Sequence, residues 1–369
     1  MAFNTHKEIL QQPQVWRETY DIILSRKDEI KAFTEKYLGQ GYQIVLTGAG
    51  SSAYIGNALE CALSETRFRG ARSIPTTEIL SCPGIYFDAS SKVLLISFAR
   101  SGDSPESIGA VKAVEQTAGS VAHIFITCNA DGELARIKRD NILCVLLPPE
   151  TNDLSLAMTS SCTSMLLACS LISRIWEIEA QKEYIDILSD SIAKAIALYE
   201  EDLKAMAEKD FKRAVFLGSG ALKGIAEESR LKLQELSDGN IMCAFDSFLG
   251  FRHGPKAVIN KETLIVYLVS PDPDVRRYEM DLIRTIRKQG RFIATITVCQ
   301  QPVAECPYTE LSVKTMLPKG FPMIYGCASY LFVAQLLGYY KSISIGLSPD
   351  SPSADGNISR VVEGVTLYI

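Results

Sequence analysis

IVLTGAGSSAYIGNALE (residues 44–60) and AVFLGSGALKGIAEESR (214–230) share one pattern: an apolar run, a Gly-x-Gly turn and the start of a helical period. The next apolar runs agree as well: VLLISF from 93 with LIVYLV from 264, HIFITC from 123 with FIATIT from 292, and ILCVLLP from 142 with LSVKTML from 311. Short runs rich in Val, Ile and Leu, separated by helix-length segments, predict parallel strands buried on both faces. RSIPTT near 72 and NIMCAF near 240 supply second strands, which gives about five per half. The fold class is therefore α/β, a duplicated five-stranded parallel sheet flanked by helices in the flavodoxin-like order 2-1-3-4-5. The expected divisions are an N-terminal helical segment at 1–38, a first domain at 39–200 and a second at 201–369. The amphipathic stretch QKEYIDILSDSIAKAIALYEEDLKAM reads as the helix that connects the halves.

Composition excludes several classes. The 369 residues, 47% hydrophobic and 22% charged, suit a soluble globular protein with a large core. A net charge of -5 argues against a broad nucleic-acid-binding surface. The polar N-terminus MAFNTHKEILQQ has no apolar core of a secretory leader, so a reducing, cytoplasmic setting is expected for the ten cysteines. No CxxC occurs and there are only three histidines, so no metal site is expected. Leu156 to Trp176 is the most hydrophobic long segment, yet it is studded with Ser and Thr and contains Arg174. It reads as a buried helix, not a membrane span.

In a sheet of order 2-1-3-4-5, ligands bind beyond the carboxyl ends of strands 1 and 3. GAGSS (48–52) follows strand 1 and ARSGDS (99–104) follows strand 3. Ser104-Pro105-Glu106 is a helix N-cap in its preferred order, which leaves Ser101 and Gly102 surplus to capping. Gly48 and Gly50 allow close backbone approach, and Ser51, Ser52, Ser101 and Ser104 each offer a hydroxyl to an anion. The corresponding loops of the second half are GSGALKG and SPDPD, and the latter carries two prolines and two carboxylates that would repel phosphate. A dinucleotide site is the competing reading, because GAGSSA also fits GxGxxA with Glu78 as the ribose acid, but it leaves the second serine loop unexplained.

The second half contributes LQELSDGNIMCAFDSFLGFRHGP (233–255). Glu235 falls near the end of a helix that begins at the GSG turn, and His253 lies in a Gly/Pro-rich loop. A lone helix Glu is more often a solvated surface residue, and a loop His has even odds of function.

Together these residues resemble the sugar isomerase (SIS) family, as two tandem SIS domains. The isomerase half of glucosamine-6-phosphate synthase is similar: its serine loop corresponds to Ser51 and Ser52, and its SQSGET loop to Ala99-Arg100-Ser101-Gly102-Asp103-Ser104. Its L-K-L-K-E helix corresponds to Leu231-Lys232-Leu233-Gln234-Glu235, and its K-H-G-P to Arg252-His253-Gly254-Pro255. The AgaS group, galactosamine-6-phosphate deaminase/isomerases, is closer through Ala157-Met158-Thr159-Ser160-Ser161 and Asn357-Ile358-Ser359-Arg360-Val361-Val362.

The resemblance implies that Glu235 carries a proton between C1 and C2 of a sugar phosphate and that His253 assists ring opening from the partner subunit of a homodimer. It also implies phosphate or substrate contacts from Gly50, Ser51, Ser52, Arg100, Ser101, Gly102, Ser104, Thr159, Ser160 and Arg360, with no cofactor. Two departures follow. Arg360 stands where the synthase has a Schiff-base lysine, and guanidinium stays protonated, so it can serve as a binding cation but not as that nucleophile. The chain starts Met1-Ala2-Phe3 with no N-terminal cysteine for a glutaminase, which favours release of ammonia over its installation. The expectation is a deaminating isomerase with hydrolase character, acting on D-galactosamine 6-phosphate to give D-tagatose 6-phosphate. A nitrogen-free aldose/ketose isomerase and a non-catalytic sugar-phosphate sensor are the alternatives.

Overall fold

A computed structural model of the chain describes residues 3–301, 309–361 and 364–368. Met1, Ala2 and Val362, which figure in the motifs above, lie outside the described residues. The chain forms two compact units. One comprises residues 14–153, 158–185 and 358–369; the other comprises 1–13, 154–157 and 186–357. The division passes between Pro13 and Gln14, so the helix Asn4–Leu10 falls wholly in the second of these units and the helix Gln12–Ser25 is cut after its first two residues.

The first unit is built on strands β1 (Gln43–Thr47), β2 (Arg72–Ser73), β3 (Lys92–Ala99), β4 (Ser120–Thr127) and β5 (Ile142–Leu146). All are parallel and ordered β2-β1-β3-β4-β5, so the winding reverses between β1 and β3, as the repeat predicts. Seven of the eight β3 residues are buried, as a central strand covered on both faces requires. Val93 and Leu95 pack with Phe125 of β4 and with Ile108, Val111 and Val114 of the helix Pro105–Thr117. Burying each such side chain contributes roughly 1.5–3 kcal/mol.

The second unit carries β6 (Arg213–Leu217), β7 (Met242–Asp246), β8 (Thr263–Leu268), β9 (Ala294–Cys299) and β10 (Leu311–Lys314). Its order, read from the other edge, is β7-β6-β8-β9-β10, the same winding. The core there joins Val215, Leu217, Ile265 and Tyr267 to Met280, Ile283 and Ile286 of the helix Pro273–Gln289.

The apolar Ser/Thr-studded segment forms the helix Ser160–Ser173, every residue of which is buried. Among the described residues no helix is long and apolar enough to cross a membrane. The amphipathic connection is the 30-residue helix Ile178–Ala207.

Candidate active site

In the first unit, β1 and β3 each end in a turn that opens a helix, so two helix N-termini flank the switch point. Gly48 and Gly50 are both demanded by that turn. A Cβ on Gly48 would come within 2.5 Å of the Ser52 carbonyl carbon, while Gly50 has φ +55°, a conformation that favours glycine. The helix Ser51–Ala62 begins directly after them, with Ser51 and Ser52 buried in its first turn.

After β3, Ser104 caps the helix Pro105–Thr117: its Oγ accepts from the Ser107 N–H and lies 2.7 Å from the Ser107 hydroxyl. Gly102 has φ +72°. The loop is braced from β4, because Asn129 Nδ2 donates to the Ser101 carbonyl at 3.0 Å. Asp103 accepts from the Glu133 N–H at 2.9 Å and so faces away from the turn's open side.

A cavity of about 120 Å³ lies where these turns meet. Its wall includes Ser52, Ser101, Ser104 and Ser107, with Arg100 and Arg360 as cations. The guanidinium of Arg100, a residue only 6% exposed, donates to the backbone carbonyl of Arg360. Arg360 in turn donates through Nε to the Asp153 carbonyl at 2.8 Å and through a terminal nitrogen to Asn152 Oδ1 at 2.7 Å. The Arg360 acceptors are neutral oxygens, so they hold that guanidinium in place without cancelling its charge. Hydroxyls, helix N-termini and cations are the groups that bind anions in proteins. One acid, Glu106, also lines the cavity, and its Oε2 is buried without a hydrogen-bond partner among the described residues.

Of the residues singled out from sequence, Ser52, Arg100, Ser101, Ser104 and Arg360 line this cavity. Gly50, Ser51 and Gly102 shape the turns beside it. Met158 reaches the wall, whereas the hydroxyl of the fully buried Ser160 lies 2.5 Å from Asp153 Oδ1. The same carboxylate accepts from the Thr159 and Ser161 N–H groups at 2.8 and 3.0 Å, which satisfies the start of the helix Ser160–Ser173. Ser107, Glu106 and Asp153 were not read as site residues. Ser107 had a usable signal: it lies one helical turn beyond Ser104, so both share a face.

The second unit supplies an internal comparison. Gly218 and Gly220 repeat the first turn: a Cβ on Gly218 would come within 2.1 Å of the Leu222 carbonyl oxygen, and Gly220 has φ +57°. The glycine pair thus serves the strand-to-helix turn in both units and is no signature of phosphate by itself. Here Glu279, fully buried, accepts from the Ser270 N–H at 2.9 Å, with Ser219 of the first turn close by. The second switch point thus carries a built-in carboxylate, where the first is lined with hydroxyls and cations. Burial raises the Glu279 pKa, against the opposing pull of those donors.

Glu235 is the penultimate residue of the helix Ala221–Leu236. Its Oε2 lies 2.7 Å from Lys232 Nζ, and that ammonium, fully buried, also reaches Glu228 Oε1 at 3.3 Å. The Glu235 side chain keeps 23% exposure, so it is not sealed in the core as Lys232 is. His253 ends the short turn Gly250–His253 and is exposed. Its two companions have structural settings: His6 stacks on Tyr339, and buried His123 pairs with Glu115 at 3.0 Å. Glu78 is exposed on the helix Thr76–Ser81. Among the described residues no cluster of three or more His, Cys, Asp or Glu side chains is arranged to hold a metal ion.

A doubly wound pair of sheets with a serine-lined cavity at one switch point is the architecture of an SIS protein, and the SIS domain model matches residues 37–173. The D-galactosamine-6-phosphate deaminase AgaS of Shewanella sp. (strain ANA-3) is 37% identical over 372 aligned positions, spanning 100% of this chain and 92% of that protein. The solved tagatose-6-phosphate ketose/aldose isomerase of Escherichia coli superposes with TM-score 0.91 at 31% identity, covering 100% of this chain and 97% of that one. The C-terminal domain of glucosamine-fructose-6-phosphate aminotransferase from Francisella tularensis, at 20% identity and TM-score 0.80 over 95% and 99% of the two chains, shares the fold. This chain belongs to the AgaS family of SIS-domain proteins. The relatives are named as deaminases and isomerases; the hydrolase class expected alongside does not describe them.

Proposed function

We propose that the protein is an enzyme of amino-sugar phosphate metabolism that converts D-galactosamine 6-phosphate and water to D-tagatose 6-phosphate and ammonia. The observation that carries this reading is the cavity where Ser52, Ser101, Ser104 and Ser107 meet two guanidinium groups, in a family whose relatives are named for that substrate class. The phosphoryl group is held by these hydroxyls, by Arg100 and by the backbone at Gly50, Ser51 and Gly102. Thr159 and Ser160 fix the wall that carries Met158, and Arg360 closes the cavity as a cation.

His253, supplied by the partner subunit of a homodimer, assists opening of the ring. Glu235 then takes the C2 proton of the open-chain aldehyde and delivers it to C1 through an enolamine. That transfer leaves an imine at C2, which water cleaves to the ketone and ammonia. Lys232 holds the Glu235 carboxylate in position on one oxygen, leaving the other for the proton. No step requires a cofactor, and the reaction belongs in the cytoplasm, where such sugar phosphates are made.

The name of the solved isomerase favours a second reading, ketose/aldose interconversion without loss of nitrogen. Parallel assay of ammonia and ketose separates them. With D-galactosamine 6-phosphate the expected result is one ammonia per ketose; ketose from D-galactose 6-phosphate at a higher kcat/KM, with no ammonia from the amino sugar, would instead establish the second reading.

A further inference from the structure

The opposite end of the first sheet carries charge that the reaction does not use. A cavity of about 400 Å³ opens at the start of β1, where Gln43 lies, roughly 15 Å along the strand from the serine turns. Its wall holds Arg67, Arg69 and Arg72, together with Tyr42 and Tyr86, and includes no Asp or Glu. Three arginines in six residues, RFRGAR (67–72), are notable in a chain of net charge -5.

Arg67 is occupied: its guanidinium lies 4.1 Å over the Trp176 ring, and that indole donates to Glu35 at 2.6 Å. The side chains of Arg69 and Arg72 have no ion-pair or hydrogen-bond partner among the described residues. The sheet edge is open here as well. β2 pairs only with Val45 and Leu46 of β1, leaving the edge at Gln43 and Ile44 to the cavity. Like charges gathered around a hollow repel one another, and with no acid in the wall an external anion is what offsets them. Guanidinium forks also match phosphoryl oxygens in pairs.

We propose that this cavity is a second anion site that takes a small molecule bearing two or more phosphoryl groups. Three guanidinium groups exceed the charge of one phosphoryl group, and the hollow is larger than the serine-lined cavity. The site is independent of the substrate's phosphate cradle.

Calorimetric titration of the full-length protein with pyrophosphate, and separately with fructose 1,6-bisphosphate, at constant ionic strength tests this and distinguishes a phosphoanhydride from a bisphosphorylated sugar. The expected result is one site per chain for at least one of them, with affinity at least tenfold above inorganic phosphate. The R69S/R72S double variant should weaken it tenfold or more, while Ser101→Ala leaves it unchanged. Absence of binding by both probes, or binding lost in Ser101→Ala and retained in R69S/R72S, would overturn the proposal. A phosphorus NMR competition on the unaltered protein guards against a misfolded variant. D-galactosamine 6-phosphate should fail to displace bound pyrophosphate, and displacement would place the anion in the cradle instead.

Discussion

At the scale of single residues, proposed binding and chemistry are assigned to different side chains, and the assignment is separable by experiment. Glu235→Gln keeps the shape of the side chain and its contact with Lys232 but removes the base. The turnover number should fall by about 10²–10⁴, the usual worth of a positioned general base, while the dissociation constant for D-galactosamine 6-phosphate stays within a few-fold. Loss of binding in step with turnover would mean that Glu235 holds the sugar and does not move its proton. Arg360 illustrates what residue type alone can decide. A guanidinium excludes the covalent lysine chemistry, and its contacts with Asn152 and the Asp153 carbonyl leave it charged at the rim of the cavity.

At the scale of elements, most strands are legible because they are short Val/Ile/Leu-rich runs between turn residues, and the winding order follows from the repeat. β2 was the weakest: only Arg72 and Ser73 pair, and RSIPTT passes at once into a helix. The serine turns were legible as surplus hydroxyls. Asp153 and Glu279 were not, because each satisfies groups several residues away through a contact that no local pattern records. In TNDLS an Asp reads as a loop acid, and in RRYEMDLIR a Glu reads as a solvated face, yet both are buried.

His123 lies within β4, and its burial gives a prediction. Desolvation pushes its pKa down to about 4, with Glu115 pulling the other way. The unfolded chain therefore binds the proton between about pH 4 and 6.5 while the fold does not, so stability is lost as pH falls through that window. Urea unfolding at pH 7 and pH 4.5 should differ by on the order of 2–3 kcal/mol from this group. His123→Gln should remove that share of the difference; an unchanged pH slope would show that the burial carries no such cost.

At the scale of the whole molecule, two copies of one fold have diverged in charge. One switch point is lined with donors, the other holds the carboxylate of Glu279. The proposed homodimer gives a test of its own. Glu235→Gln and His253→Ala proteins, each inactive alone, should regain activity when unfolded together and refolded, because a mixed dimer carries one site with both groups intact. No recovery would mean that both groups come from one chain.

The claim on which the rest depends is that the serine turns grip the phosphoryl end of the substrate. The most direct measurement compares kcat/KM for D-galactosamine 6-phosphate with that for D-galactosamine, in the unaltered protein and in the S101A/S104A variant. Hydrogen bonds to a charged group contribute ~1.5–3 kcal/mol each, so the preference for the phosphorylated sugar should shrink by ~10²-fold or more in the variant, with the reaction of the unphosphorylated sugar little changed. A preference that survives intact without those two hydroxyls would contradict the account.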